Sequence, residues 1–180
     1  LRLLADGVDK KIRLFFGDEE ITGPHGLSSV FASGKVPFFS RDTVWKVDKV
    51  SAGELVVCMA LPQIGARQEW HFSFQETDRL MIKGYLFADE IITLAHLDVS
   101  LELKNIYKSW ETPWEKGVLD SGENFNNIFP IRWKNNKVSC ALFRQRRDKE
   151  NLLFSVDADP GSRVLNLHKR KESGQEYVCL

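Results

Sequence analysis

The chain holds 180 residues, 43% of them hydrophobic and 28% charged, with 25 Lys and Arg against 25 Asp and Glu and no formal net charge. That length suits one domain able to bury a sizeable core, with two small domains as the alternative. Neutralising several phosphates leaves a basic excess or stripe, which is absent here, and no run approaches the ~20 consecutive apolar residues that span a bilayer, so neither nucleic acid nor membrane is an expected partner.

From the N-terminus onward the dominant periodicity is two, the period at which side chains alternate between the faces of a sheet. Strands are predicted at 11–16 and 19–22. Gly23-Pro24-His25-Gly26 reads as a tight turn in which glycine supplies a positive φ, with His25 at its tip. Further strands follow at 27–32, 43–50 and 54–60, and in the last of these Cys58 reads as a small buried hydrophobe. Segment 67–74 is the clearest: Trp70, Phe72 and Phe74 share one face, and Glu69, His71 and Ser73 share the other. Segment 79–87 places Leu80, Ile82 and Leu86 opposite Met81, Lys83, Tyr85 and Phe87, and Thr77-Asp78 before it supplies the turn of a hairpin.

Segment 90–104 alternates throughout and is predicted as one long strand, bulged or straight. Ile91, Thr93, Ala95, Leu97, Val99, Leu101 and Leu103 fall on one face, and Ile92, Leu94, His96, Asp98, Ser100, Glu102 and Lys104 on the other. The pattern breaks over 105–127, whose second half is rich in Gly and Asn and reads as an excursion loop. Strands resume at 128–133, 137–143, 151–156 and 163–167. The basic cluster Arg144-Gln145-Arg146-Arg147 reads as a solvated turn, and the tail from Lys169 as a surface-exposed last hairpin or a frayed end. Many short strands separated by turn signals make the fold class all-β, an antiparallel β-sandwich with few or short helices. Trp45, Trp70 and Trp133 sit within strand alternation and are expected in the core.

Residues 1–180 are expected to form a single sandwich domain. The opening Leu1-Arg2-Leu3-Leu4 lacks the layout of a signal peptide and runs straight into ordered-looking sequence, so a piece of a longer polypeptide is expected, with other domains of the same polypeptide as partners. Cys58, Cys140 and Cys179 are widely spaced, without a CxxC or Cys/His cluster, which points to neither a disulfide framework nor a structural zinc. No metal and no cofactor is expected, and the compartment stays open.

Certain landmarks stand in a familiar order: the 11–16 strand, then Glu20-Ile21-Thr22 and Gly26-Leu27; Ser40 and Trp45-Lys46-Val47; Leu61-Pro62 leading to Gln68-Glu69-Trp70; Glu102-Leu103; and Tyr107-Lys108-Ser109-Trp110. Over residues 10–112 the chain resembles the β-supersandwich domains, similar to the galactose-mutarotase-like fold, that accompany glycosyltransferase or other polysaccharide-processing modules. The resemblance implies a large antiparallel sandwich and a saccharide or polysaccharide partner. It implies no catalytic residues.

Two groups of residues are candidates for binding saccharide. If the 67–74 and 90–104 strands share a sheet, Glu69, His71, His96, Asp98 and Glu102 gather on its non-core face beside Arg67, offering the carboxylate, imidazole and guanidinium partners that sugar hydroxyls take. Tyr107, Trp110 and Trp114 are three and four residues apart, so one helical turn would align them as a platform for pyranose rings; the plainer reading makes them core. The first functional reading is a non-catalytic module binding saccharide on a concave sheet face. The alternatives are a small sugar-active enzyme of mutarotase or lyase type, using a His beside a carboxylate, and a structural or protein-interaction sandwich. No nucleotide loop, nucleophile elbow or zinc-protease motif occurs.

Overall fold

In a computed structural model, the structure describes residues 1–33, 36–49, 51–75, 79–104, 107–112, 115–119, 126–130, 138–143, 152–158, 164–172 and 175–179. Among these the chain is all-β, an antiparallel sandwich with no helix of 7 residues or more. Its contacts gather into two compact units, Leu1–Leu101 and Glu102–Leu180.

The first unit opens with the strands β1 (Arg2–Asp6), β2 (Lys11–Phe16) and β3 (Glu19–Glu20), an antiparallel set in which Ile12 and Leu14 are buried. β4 (Thr22–Ser33) then runs through the Gly23-Pro24-His25-Gly26 stretch, so this is strand and not the tight turn its composition suggests. Gly26 does take the positive φ expected of a glycine in this stretch, 56°, and a Cβ there would collide with the Ile12 carbonyl oxygen. The backbone of β4 thus passes closer to β2 than any side chain permits. β5 (Val36–Phe39) pairs with the end of β4, and a short 3₁₀ turn, Ser40–Asp42, follows.

β6 (Val44–Lys49), β7 (Glu54–Leu61), β8 (Ala66–Phe74) and β9 (Leu80–Ala88) form a four-stranded meander in chain order. Its inner face carries Trp45, Val57, Met59, Leu61, Trp70 and Phe72, all buried. Trp45 meets Trp70 edge-on at 6.3 Å, and Trp70 meets Phe72 at 6.5 Å, the quadrupole-favoured arrangement of packed rings. Polar groups trapped on this side are satisfied. The Ser29 hydroxyl of β4 donates to Gln68 Oε1 of β8 at 2.6 Å, and the Trp45 indole donates to the Ser40 carbonyl at 2.8 Å. The first bond joins the inner face of the meander to β4 and the second joins it to the 3₁₀ turn. Cys58 faces outward between the core residues Val57 and Met59 and is half-buried, which corrects its reading as a core residue.

β10 (His96–Lys104) is shorter than the long strand expected over 90–104. Residues 91–94 are not strand, and Ile91 is fully exposed at 101%. Within β10 the expected faces also fail, since Leu97 and Val99 are exposed while Glu102 is buried at 3%. Alternation decides a strand's faces only where one side meets water. Leu101, Glu102 and Leu103 are covered on both sides, and the start of β10 on neither.

β10 neighbours β4 in the first unit, and in the second its residues Glu102–Lys104 pair with β17 (Gln175–Cys179). β17 pairs with β16 (Val164–Glu172), and β16 with β13 (Asn126–Pro130). The tail is therefore a last hairpin. Lys169, expected at the surface, is buried with its ammonium 3.8 Å from Glu176. A second sheet has the order β12 (Lys116–Val118), β11 (Ser109–Glu111), β14 (Val138–Phe143), β15 (Leu152–Ala158). Thus the interval 105–127 contributes strands of its own. Trp133 and the cluster Arg144 to Arg147 lie outside the described residues.

Candidate functional site

Among the described residues, the outer face of the meander gathers a dense set of interacting polar and aromatic side chains. It exists because β8 alternates: with Gln68, Trp70 and Phe72 turned inward, Arg67, Glu69, His71 and Ser73 must point outward. Glu69 stands between its two strand neighbours. Arg67 Nε donates to Glu69 Oε1 at 3.1 Å, and His71 Nε2 lies 2.9 Å from Glu69 Oε2. Those two bonds, His71 first and Arg67 second, hold the Glu69 carboxyl below its ordinary value of 4.5.

β9 supplies the aromatic side. The antiparallel register sets Phe87 opposite Arg67, Tyr85 opposite Glu69 and Lys83 opposite His71. The Arg67 guanidinium lies over the Phe87 ring, 4.4 Å from its centre, a cation–π contact. Tyr85 stacks on Phe87 at 6.2 Å and 28° and meets the His71 ring edge-on at 5.0 Å. Tyr85 and Phe87 remain 42% and 39% exposed despite these contacts.

On the other flank β7 presents Ala60, Cys58 and Val56, short side chains that leave the polar stripe open. Beyond them β6 carries Lys46 and Asp48, ion-paired at 2.9 Å. Burial pushes the Cys58 thiol up from 9.0, with the Glu69 and Asp48 carboxylates adding to the effect. Chemically, the face offers a carboxylate with lone pairs to spare, a guanidinium with free N–H groups and a flat ring pair, all within one sheet surface.

Of the residues singled out from sequence, Glu69 and His71 come together here, beside Arg67. The others do not join them. β8 and β10 lie in different sheets, because β10 sits beside β4: the Ala95 amide donates to the Ala32 carbonyl at 2.8 Å, and the Ser28 and Ser100 hydroxyls bond at 3.3 Å. His96 begins β10 with its side chain outside the described part, and Asp98 is exposed along the same strand. Glu102 is buried in the second unit, with Cys179 Sγ 3.9 Å from its Oε2.

Trp110 is 4% exposed and Tyr107 fully buried, and the chain at Trp110 is extended, so these two are core and form no helical row. Trp114 lies outside the described residues. The exposed aromatic pair Tyr85 and Phe87 is not singled out by the sequence, where period two places both on one face of segment 79–87 without showing that this face is the outer one. The register of β8 and β9 sets the pair directly against Arg67 and Glu69.

Among the described residues no group of three or more His, Cys, Asp or Glu side chains is placed to hold a metal ion, and no helix is long and apolar enough to cross a membrane. Comparison with protein-family models, curated proteins and solved structures gives no match to the chain.

Proposed function

We propose that this chain is a carbohydrate-binding, non-catalytic β-sandwich module that holds saccharide on the outer face of β8 and β9. The observation that carries the reading is the exposed Tyr85–Phe87 stack lying directly beside the Arg67–Glu69–His71 chain of hydrogen bonds. A pyranose presents an apolar C–H face and a rim of hydroxyls. The ring pair matches the first, and the carboxylate and guanidinium match the second. The resemblance of residues 10–112 to supersandwich domains points the same way and implies a larger glycan-processing polypeptide as its setting.

The 2.9 Å contact between His71 and Glu69 favours a second reading, in which the pair exchanges protons with a sugar. Binding is the better fit. The His71 side chain is 42% exposed on an open sheet, and acid–base chemistry gains most where water is excluded.

A glycan array on the intact chain, followed by calorimetric titration of the best oligosaccharide, tests the proposal. Tyr85→Ala is expected to weaken binding ~2- to 10-fold through the lost ring contact. Glu69→Gln is expected to weaken it ~10- to 100-fold through lost charge-assisted bonds. His71→Ala is expected to weaken binding less than Glu69→Gln, and polarimetry with the parent chain should register no faster mutarotation than in buffer. Failure of every polysaccharide class to bind a folded chain removes the proposal.

A further inference from the structure

The meander ends on β9, whose far edge has no neighbouring strand among the described residues. A free edge exposes a row of backbone donors and acceptors and invites another strand unless something guards it. The two edges of this sheet differ. β6 has 6 residues and carries the charged pair Lys46 and Asp48, the sort of side chains that discourage pairing. β9 has 9 residues, no proline and one charge, Lys83, and it exposes Ile82, Tyr85 and Phe87.

We infer that the β9 edge is a homodimer contact, in which a second copy of this chain adds its own β9 antiparallel about a two-fold axis at Gly84. The choice of occupant and register follows from the β9 sequence. In an antiparallel pair opposite residues share a face, so a two-fold pairing sets one residue opposite its own copy. Centring on Lys83 opposes two ammonium groups, which is unfavourable. Centring on Ile82 or Tyr85 shortens the overlap.

Centring on Gly84 pairs all of Leu80–Ala88 with its copy and opposes no like charges. On the outer face it sets Lys83 against Tyr85 of the second copy, an ammonium against a ring, and Met81 against Phe87 of the second copy, a thioether against a ring. On the inner face Ile82 meets Leu86 of the second copy. Gly84, exposed and without a side chain, places no bulk at the axis. The four-stranded sheets then join edge to edge, with the two outer faces continuous. The contact draws on Tyr85 and Phe87, which the binding reading also uses, but it needs no saccharide, so association measured without saccharide distinguishes its failure from failure of that reading.

Sedimentation velocity on the full chain across the micromolar range tests it. The expected result is a concentration-dependent monomer–dimer equilibrium, with hydrogen exchange at alternate β9 amides slowing as concentration rises. Tyr85→Lys sets lysine against Lys83 at both symmetric positions and is expected to raise the dimer dissociation constant about tenfold or more. The double variant Lys83→Glu/Tyr85→Lys restores opposite charges and should restore the dimer. If circular dichroism shows Tyr85→Lys unfolded, Lys83→Glu/Tyr85→Glu repeats the repulsion with the other sign. A chain that stays monomeric at every concentration overturns the inference and leaves the edge to a strand of different sequence. A dimer that the repulsive variants leave unchanged overturns it as well, since its contact lies elsewhere.

Discussion

Gly26 concentrates several constraints in one residue. Its φ of 56° lies in the left-handed region, and the nearest obstacle to a Cβ is backbone, the Ile12 carbonyl, which cannot swing aside. Gly26→Ala is therefore expected to cost at least about 1–2 kcal/mol from the backbone conformation alone, with the steric contact adding to it. Urea denaturation would read this as a lower midpoint at unchanged slope. Cys58 illustrates the opposite case, a residue whose environment disfavours its reactive form. Its thiol is raised from 9.0 chiefly by burial, and the carboxylates of Glu69 and Asp48 further disfavour the thiolate. Because the thiolate is the nucleophile, Cys58 is expected to alkylate several-fold more slowly than a free cysteine near neutral pH. Peptide-level mass spectrometry after an iodoacetamide time course measures it, and modification at the free-thiol rate would contradict the assigned environment.

At the scale of elements, β8 and β9 divide their labour by face. Phe72 is 2% exposed on the inner side, so Phe72→Ala is expected to cost about 3–5 kcal/mol in chemical denaturation. Tyr85→Ala, on the outer side, should change stability by less than about 1 kcal/mol while weakening saccharide binding, and this split separates architecture from site. β8 is also the most legible part of the sequence. In β8 one face is apolar and the other polar, and period two suffices to place Trp70 and Phe72 inside and Glu69 and His71 outside, whereas both faces of β9 carry apolar side chains. Legibility failed where that contrast was missing. Along 90–104 the apolar alternation begins before the strand does, and it carries no information about which neighbour a strand will choose, so it cannot show that His96, Asp98 and Glu102 stand in a different sheet from Glu69 and His71. Trp110 failed for another reason. Three- and four-residue spacing suggested a helical row, whereas the chain there is extended, and Gly117 of β12 lies directly opposite Trp110. A Cβ at Gly117 would come within 2.5 Å of the indole nitrogen, so this pairing depends on a glycine that reads in sequence only as a loop signal.

For the whole molecule, the direction of its pH dependence follows from carboxylates that are held ionised. Asp6 lies below its ordinary 3.8 because the amides of Asp9 and Val8 donate to it, at 3.1 and 2.8 Å. Glu20 feels burial pushing its carboxyl up, but the Thr22 hydroxyl at 3.0 Å and the Lys11 ammonium at 3.2 Å outweigh it, leaving it below 4.5. Glu69 is lowered by His71 and Arg67. A carboxyl with a depressed folded pKa binds fewer protons in the native chain than in the unfolded one. Its contribution to stability is present above the unfolded value and is lost as pH falls through the folded value. The urea midpoint should accordingly be lower at about pH 3 than at about pH 6, and a variant combining Asp6→Asn, Glu20→Gln and Glu69→Gln should show a flatter acid limb. Raised groups act at the other end. Cys58, raised from 9.0, and Lys46, raised from 10.5 by its bond to Asp48, contribute below those values and lose their contribution as pH climbs through the folded ones. Lys46 is fully exposed, so solvent screening leaves the alkaline limb shallow. An acid limb as steep in the triple variant as in the parent chain would mean that these three carboxylates do not govern it.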